Sequence, residues 1–312
     1  MNLRHLQAFC EIVGHDFKIS RAAVALNTSQ PSVSRYIGGL EAEIGAVLFN
    51  RTEKRILGLT PAGEEVLKSA RRLLQEADNI RKIGQDYKDE SRGELTIGAS
   101  HTTARYFLPK IVNEFIARHP NVRLVIRQSD PAHLVRLVMA GELDLAVSPG
   151  GSETLPEVAM IPCHVHGRLA LTPPGHPLLR IRKPSLAQIA TLPLITYSRE
   201  FPAYEQIVRT FNKSGLVPNI VLTASDIDVM KTYVESGLGI AIVASFAFDP
   251  MRDLKLRAID LDHLFAPARV FISLRKGKHI REFVYHFIDL VAPSLPDGAI
   301  EQAVFGRRPR KD

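Results

Sequence analysis

Cysteine is scarce in this chain of 312 residues: there are two, Cys10 and Cys163. Neither sits in a CxxC or Cys/His ligand spacing, so a disulfide scaffold and a metal cluster are not expected, and a reducing, cytoplasmic compartment is. No uninterrupted apolar run approaches the roughly 20 residues that cross a bilayer, so no membrane partner is expected. The start, Met1-Asn2-Leu3-Arg4-His5, lacks the apolar core of a secretory signal. There is no GxSxG elbow, glycine-rich phosphate loop or HExxH pair, which argues against the enzymes built on those devices and leaves no cofactor expected. A concentrated charge of one sign is also missing. The net charge is +7, yet residues 1–92 carry 14 basic against 12 acidic side chains, so a polyanionic partner has to be argued from pattern.

What is present is ordinary globular composition, 45% hydrophobic and 23% charged, at a length that favours two domains and a connector. Near the start, Leu3, Leu6, Phe9, Cys10 and Val13 fall at helical spacing. A second short helix is expected over 19–26, capped by Ser20, with Ala22-Ala23 small enough to admit another helix closely. Asn27 suits a left-handed turn position. Thr28 or Ser29 then caps a third helix with Pro31 in its first turn, where the missing N–H costs little. Val33, Ile37, Leu40 and Ile44 form its buried stripe, leaving Gln30, Ser32, Ser34 and Arg35 off it.

Helix, tight turn, helix is a DNA-binding signature. Small and amide side chains at the start of the third helix let it enter a major groove, with Gln30 reaching base edges and the helix N-terminus favouring phosphate. Gly45, then 48–51 and 54–55, read as a short β-wing whose Arg51 and Arg55 face flanking phosphates. An ordinary three-helix bundle with a solvated polar face is the alternative.

The run Ala22-Ala23…Leu26…Ser29-Gln30-Pro31-Ser32-Val33-Ser34…Ile37…Leu40-Glu41…Ile44-Gly45…Leu48-Phe49…Arg51…Leu59-Thr60-Pro61-Ala62-Gly63 resembles the winged helix-turn-helix of LysR-type transcriptional regulators. The resemblance implies double-stranded operator DNA as partner and Ser29, Gln30, Pro31, Ser32, Ser34, Arg35, Arg51 and Arg55 as the DNA-binding set. Gly38-Gly39 is unusual there, costing about 1 kcal/mol of helix propensity per glycine, and is expected to permit close backbone approach.

Over 61–87, Val66, Ala70, Leu73, Ala77, Ile80, Gly84 and Tyr87 make a heptad seam, widened by Leu67, Leu74 and Ile83. So long a stripe calls for a partner helix from a second chain, unless it is a core helix of the following domain. The resemblance implies dimerisation through this helix, hence a homodimer or homotetramer, with RNA polymerase a further candidate partner. Paired recognition helices then meet half-sites about one helical turn apart.

Ser91-Arg92-Gly93 breaks the helix, and strands alternate with helices beyond it. Strands are expected at 95–99, 122–127, 143–147, 168–172, 194–197, 219–223, 240–243 and 270–274, with helices at 106–118, 133–140, 203–213, 227–235 and 280–291. That order argues for parallel α/β sheets in two lobes, with crossings near Ile161-Pro162 and Ala266-Pro267. Ligands of such folds lie where strands end and helices begin. Four places qualify: Ser100-His101-Thr102-Thr103, Ser148, Thr196-Tyr197-Ser198, and Thr223-Ala224-Ser225-Asp226, where Ser225 or Asp226 also caps a helix. Hydroxyls beside free N–H groups suit a small oxyanion, though capping alone explains each Ser or Thr singly.

The first and last of these stretches, with Leu194-Ile195-Thr196-Tyr197 and Phe211-Asn212-Lys213-Ser214-Gly215-Leu216, resemble the CysB/Cbl branch of the LysR-type family, regulators of sulfur assimilation. The resemblance covers residues 1–295. It implies a periplasmic-binding-protein-like effector domain and a small anionic effector (sulfate, sulfonate, adenosine phosphosulfate or acetylserine-like) held by hydroxyls, a chemistry that Ser100, Thr102 and Ser148 keep. Together with the strand-end candidates, the expected effector set is Ser100, His101, Thr102, Thr103, Ser148, Thr196, Tyr197, Ser198, Thr223 and Ser225. Three positions depart from the branch: Thr103 stands for a glutamine, Pro202 for a threonine and His166 for an aromatic residue. His166 or Arg199 would then meet a larger ligand.

The organisation expected is an all-α winged helix-turn-helix at 1–60, a linker and dimerisation helix at 61–90, a two-lobed α/β effector domain at 91–300 (lobes 91–162 plus 267–300, and 163–266), and a flexible basic tail at 301–312. Other readings stand beside it: a LysR-type regulator of another pathway answering a different small carboxylate or anion, an enzyme using Ser100 and His101, or a transport binding protein. The enzyme reading is weak because adjacent strand residues point to opposite faces, and a transport protein would not begin with a DNA-binding module.

Overall fold

A computed structural model describes residues 2–52, 55–86, 92–150 and 155–306. The chain divides into two compact units, Met1–Lys88 and Asp89–Asp312. No helix of the described residues is long and apolar enough to cross a membrane.

In the first unit α1 (Leu3–Gly14) is capped by Asn2, whose side chain accepts from the His5 N–H, and buries Leu6, Ala8, Phe9 and Ile12. Helix α2 (Ile19–Ala25) buries Ala22 and Ala23; its cap position is Lys18, which offers no side-chain bond, so Ser20 lies inside the helix rather than capping it. Asn27 is left-handed (φ 49°), and Asp16 and Phe17 also have positive φ. Helix α3 (Gln30–Ile44) starts at Ser29 and stops at Gly45 (φ 75°). Val33, Ile37 and Leu40 are buried, but Ile44 is exposed because the helix has by then run past the small core. Of the two glycines only Gly39 meets a neighbour: a Cβ there would lie 3.3 Å from the His5 ring of α1, whereas Gly38 faces open space.

The wing is an antiparallel pair, β1 (Phe49–Thr52) and β2 (Arg55–Leu59). Helix α4 (Pro61–Asp86) follows. Thr60 anchors its start by accepting from the Gly63 N–H (3.0 Å) and donating to the Val47 carbonyl (2.7 Å). A Cβ on Gly63 would come 2.1 Å from the Leu48 carbonyl oxygen, so the Thr-Pro-Ala-Gly turn has no room for another residue at that place. Val66, Leu67, Ala70 and Leu74 pack on the core of the unit. Leu73 and Ile80, also seam positions, are exposed. Tyr87 lies outside the described residues.

The second unit opens with β3 (Gly93–Ala99), a π-helical turn (Thr103–Phe107), α5 (Leu108–Arg118), β4 (Val122–Gln128), α6 (Pro131–Ala140), β5 (Leu145–Pro149) and β6 (Val158–His166). The chain then crosses at Gly167 to a second lobe: β7 (Arg168–Thr172), a 3-10 turn (Pro177–Arg180), α7 (Leu186–Ala190), β8 (Leu194–Tyr197), α8 (Pro202–Lys213), β9 (Ile220–Ala224), α9 (Ile227–Glu235), β10 (Ile240–Ala244) and β11 (Arg257–Asp260). It returns as β12 (Ala268–Arg275), α10 (Glu282–Val291) and α11 (Ala299–Phe305). The sheets run β4-β3-β5-β12-β6 and β11-β7-β10-β8-β9, each under its own apolar core.

Several expectations change. The sheets are mixed, because β12 lies antiparallel to β5 and β6, and β7 antiparallel to β10 and β11. Ile161-Pro162 is no crossing but part of β6, an edge strand where a missing N–H is tolerated beside a shift in register. The first crossing therefore falls a few residues later. Edge strands β6 and β11 and helices α7 and α11 were not expected from the sequence: β11, α7 and α11 are short, and the nine-residue β6 has Pro162 in its middle, which reads as a break. Helix α11 occupies the start of the span expected as a frayed tail; Ile300 and Val304 are buried in the first-lobe core, which holds it down. Residues 307–312 lie outside the described set.

Candidate functional site

Two regions are candidates, one in each unit. In the first, Ser29 Oγ accepts from the Ser32 N–H (3.3 Å) and lies 2.9 Å from Ser32 Oγ, so both hydroxyls serve the start of α3. Gln30, Pro31, Ser34 and Arg35 are exposed on the first two turns. With the partial positive charge of the helix N-terminus, that face suits a polyanion.

The wing carries an unexpected clamp. Glu41 Oε1 accepts from the Leu48 and Phe49 N–H groups (2.9 and 3.4 Å), while Oε2 holds the Arg51 guanidinium at 2.8 Å. Arg51 is thus committed to fixing the wing against α3, whereas Arg55 stays exposed on β2. Glu41 drew no functional reading from the sequence because its partners lie seven to ten positions further on.

In the second unit a cleft between the lobes contains a cavity of about 210 Å³. Ser100 and Thr102 line it from the first lobe, Tyr197 from the second, together with His166 and Pro202. The remaining expected residues are elsewhere. Thr103 is fully buried, sharing a 2.8 Å hydrogen bond with Ser100 Oγ, and His101 does not line the cavity. Ser148 is buried in β5, and Pro149 and Gly150 beyond it make the wall instead. Thr196 is fully buried, and strand alternation sends it to the face opposite Tyr197. Ser198 gives its backbone N–H to the Ala224 carbonyl and is not on the wall. Thr223 and Ser225 are exposed at the end of β9, an edge strand, and therefore one strand beyond the cavity; Asp226, not Ser225, caps α9. Arg199 lines a neighbouring recess.

The sequence missed the chief cation of the cleft. Arg168 opens β7, and because β7 runs antiparallel to β10, with Arg168 opposite Ala244, the start of β7 lies on the edge where parallel strands end. Arg168 is 3% exposed. Its Nη2 donates to Gln206 Oε1 (2.6 Å), Gln206 being oriented by its own bond to the Ala266 carbonyl (2.8 Å). The guanidinium carbon lies 5.8 Å from the Tyr197 ring centre. Its Nε is buried without a partner, and no carboxylate among the described residues pairs with the guanidinium. Burial pulls its pKa below that of an ordinary arginine, yet the group stays charged. Burial raises the Tyr197 phenol, which accepts from the Ala244 N–H. His166 Nδ1 donates to the Gly167 carbonyl (3.0 Å), and burial pulls its pKa down to about 4, so the ring is neutral near pH 7.

Beside the cavity the lobes are joined by a polar cluster. Tyr106, in the turn after Thr102, donates to Asp228 Oδ1 of α9, and Lys231 of α9 donates to the Tyr106 oxygen (2.9 Å) and to Asp253 (2.7 Å). Arg105 Nε lies 2.7 Å from Asp228 Oδ2. The cavity-lining Ser100 and Thr102 and the inter-lobe bond thus sit on one short segment.

Comparison with known proteins agrees with this geometry. Residues 3–64 match the family model described as bacterial regulatory helix-turn-helix protein, lysR family, and residues 88–296 match the LysR substrate binding domain. The chain is 38% identical over 300 residues to the HTH-type transcriptional regulator SsuR of Burkholderia cenocepacia, covering 96% of this chain and 97% of that protein. It is 41% identical over 306 residues to the HTH-type transcriptional regulator CysB of the same organism, covering 98% of each. The crystal structure of the cofactor-binding domain of the Cbl transcriptional regulator superposes with a TM-score of 0.66 at 34% identity, over 69% of this chain and 95% of that one.

Proposed function

The chain belongs to the LysR family of DNA-binding transcriptional regulators, and from that premise we propose that it controls sulfur-acquisition genes in response to a small sulfur-related anion. It acts in the cytoplasm on the nucleoid, as a homodimer or homotetramer whose paired heads read a two-part operator, with RNA polymerase the partner through which a bound promoter is switched. Gln30, Ser34 and Arg35 read or approach the groove, Ser29, Pro31 and Ser32 shape the helix start, and Arg55 meets phosphate beside the Glu41-held wing. Ser100, Thr102 and Tyr197 contribute to the effector site. His101, Thr103, Ser148, Thr196, Ser198, Thr223 and Ser225 belong to its surroundings, not its wall.

One observation carries the anionic effector: Arg168, a buried guanidinium on the cleft wall that forms no ion pair with a carboxylate among the described residues, the Asp262 carboxylate binding only its backbone N–H. Burying an unpaired charge is costly, and an anion in the cavity removes that cost. The relatives' names support the sulfur assignment.

The test is operator binding by fluorescence anisotropy on promoter fragments of sulfur-assimilation genes. It is run across a salt series, with sulfate, thiosulfate, sulfonates, acetylserine and adenosine phosphosulfate each added in turn. At least one of these anions is expected to change affinity, and Thr102→Val to weaken that response while leaving folding intact. Indifference to every anion would refute the effector reading, and indifference to every sulfur promoter the sulfur assignment.

A further inference from the structure

Charge counting in the cleft narrows the ligand further. The buried wall carries one full positive charge, on Arg168. His166 is neutral near pH 7, with its Nδ1 proton engaged by the Gly167 carbonyl. Tyr197 and Gln206 beside the guanidinium are uncharged; Asp262, whose Oδ1 accepts from the Arg168 backbone N–H (3.0 Å), is exposed and off the cavity wall, where solvent screens it. Arg269 reaches the cavity rim from an exposed position, where solvent screens it. Inorganic sulfate carries two negative charges, so enclosing it beside one buried cation leaves a whole charge uncompensated. A monoanion closes the balance.

Shape and chemistry point the same way. A space of about 210 Å³ holds on the order of a dozen water-sized groups, and a sulfate ion has five heavy atoms. Most of the wall is apolar, with Phe201, Phe246, Phe271, Pro149 and Pro202 on it beside the polar Arg168, Ser100 and Thr102. A bare oxyanion would leave those faces against water and gain nothing from them. A second recess of about 180 Å³, with Val135 and Met160 on its wall, shares Pro149, Phe201 and Pro202 with the first, so the apolar path continues past the cavity. Among these polar groups the buried Arg168 Nε–H has no protein partner. Either hydroxyl can donate in the Ser100–Thr103 bond; when Thr103 donates, the Ser100 proton is left for a ligand, and Thr102 supplies a third donor. Three donors and one positive charge match a three-oxygen, singly charged head.

We propose that the cleft takes an organic monoanion, a sulfonate or sulfate monoester, whose SO₃ head sits on Arg168, Ser100 and Thr102 and whose hydrocarbon or aromatic body lies against Phe201, Phe246 and Phe271. This rests on the anionic-effector reading above and deepens it. Pro202 and His166 fit the assignment: each places carbon, not a hydroxyl or a charge, beside the body of the ligand.

The test is a thermal-shift titration of the full chain, at constant ionic strength, with sodium sulfate, 1-butanesulfonate, butyl sulfate, butanoate and 1-butanol. Ligands that bind only the native form raise its Tm in a saturable way. Butanesulfonate and butyl sulfate are expected to saturate at a concentration at least tenfold below sulfate, with butanol inactive. Arg168→Gln is expected to abolish both organic anions, and Phe246→Ala to weaken butanesulfonate while leaving sulfate unchanged. The unmodified protein's ligand series decides the matter even if Arg168→Gln fails to fold. Sulfate binding as tightly as butanesulfonate overturns the proposal, and so does butanoate doing so. If sulfate alone binds and shifts operator affinity, this inference fails while the sulfur-anion reading survives; if no anion binds, both fail.

Discussion

The Tyr106 hydroxyl donates to Asp228 Oδ1 at 2.5 Å, tying the segment that follows Ser100 and Thr102 in the first lobe to the first turn of α9 in the second. Lys231 and Arg105 complete the cluster. A rearrangement of the lobes around a ligand has to keep or break this bond, so it biases the equilibrium between arrangements that an effector acts on. Tyr106→Phe removes the hydroxyl while preserving the ring. A hydrogen bond to a charged group contributes about 1.5–3 kcal/mol, and in a unit of this size each kcal/mol moves the melting point by roughly 2–4 °C. Calorimetry should show that fall. Operator titrations with and without effector should show an altered response at unchanged basal affinity; an unaltered response would mean that the lobes move without disturbing this contact.

Gln30 is the amide at the exposed start of the recognition helix. Gln30→Ala is expected to cost about 1–3 kcal/mol of specific operator affinity, the value of a bidentate amide–base contact. Its non-specific binding and sedimentation behaviour should match the parent. Equal affinity for operator and mismatched operators, before and after the change, would remove Gln30 from base reading.

Leu73 and Ile80 are exposed along α4 at 47% and 69%, while Ala70 and Leu74 of the same helix are turned into the head. If the exposed pair meets a second copy, the double change Leu73→Glu and Ile80→Glu places charge in an apolar seam. Sedimentation should then show dissociation at micromolar concentrations, with operator affinity falling because two half-sites are no longer engaged together. An unchanged oligomer would put the interface on other residues.

His166 predicts a pH dependence. Its folded pKa is about 4, against about 6.5 in an unfolded chain, burial being the main cause, opposed by the Gly167 carbonyl and assisted by Arg168 and His164. Between those values the unfolded chain binds the extra proton, so stability falls as pH drops from about 6.5 towards 4, by at most about 3 kcal/mol. Asp262 lies near enough to oppose this in part. His166→Gln should flatten that limb of the stability–pH curve measured by denaturant titration. A curve with the same slope would assign the proton uptake to another group.

Much of the head was legible. Turn chemistry at Asn27, the cap at Ser29 and the stripe of Val33, Ile37 and Leu40 depend on neighbours within four or so positions, so their spacing carries the information. Most effector strands were legible as strands for the same reason; the exceptions are two edge strands, the short β11 and the nine-residue β6, whose Pro162 interrupts the pattern. The cleft was legible only in part. Ser100, Thr102 and Tyr197 follow the rule that ligands lie where parallel strands end, and the structure puts them on the wall of one cavity. Arg168 starts its strand, and the rule passes over it until β7 is known to run antiparallel. Ser148 and Thr196 sit on suitable strands, but strand pleat and burial turn them inward.

The amino-acid sequence determined this protein's family through its resemblance to known members, and its head and its alternation of strands and helices through periodicity and turn preference along a short stretch of chain. Tertiary structure decided which strand ends share a cavity, which side chains face into it, and that one buried guanidinium stands there without a carboxylate. Charge balance in a low-dielectric space depends on every group brought around it, and those groups come from segments far apart in the chain.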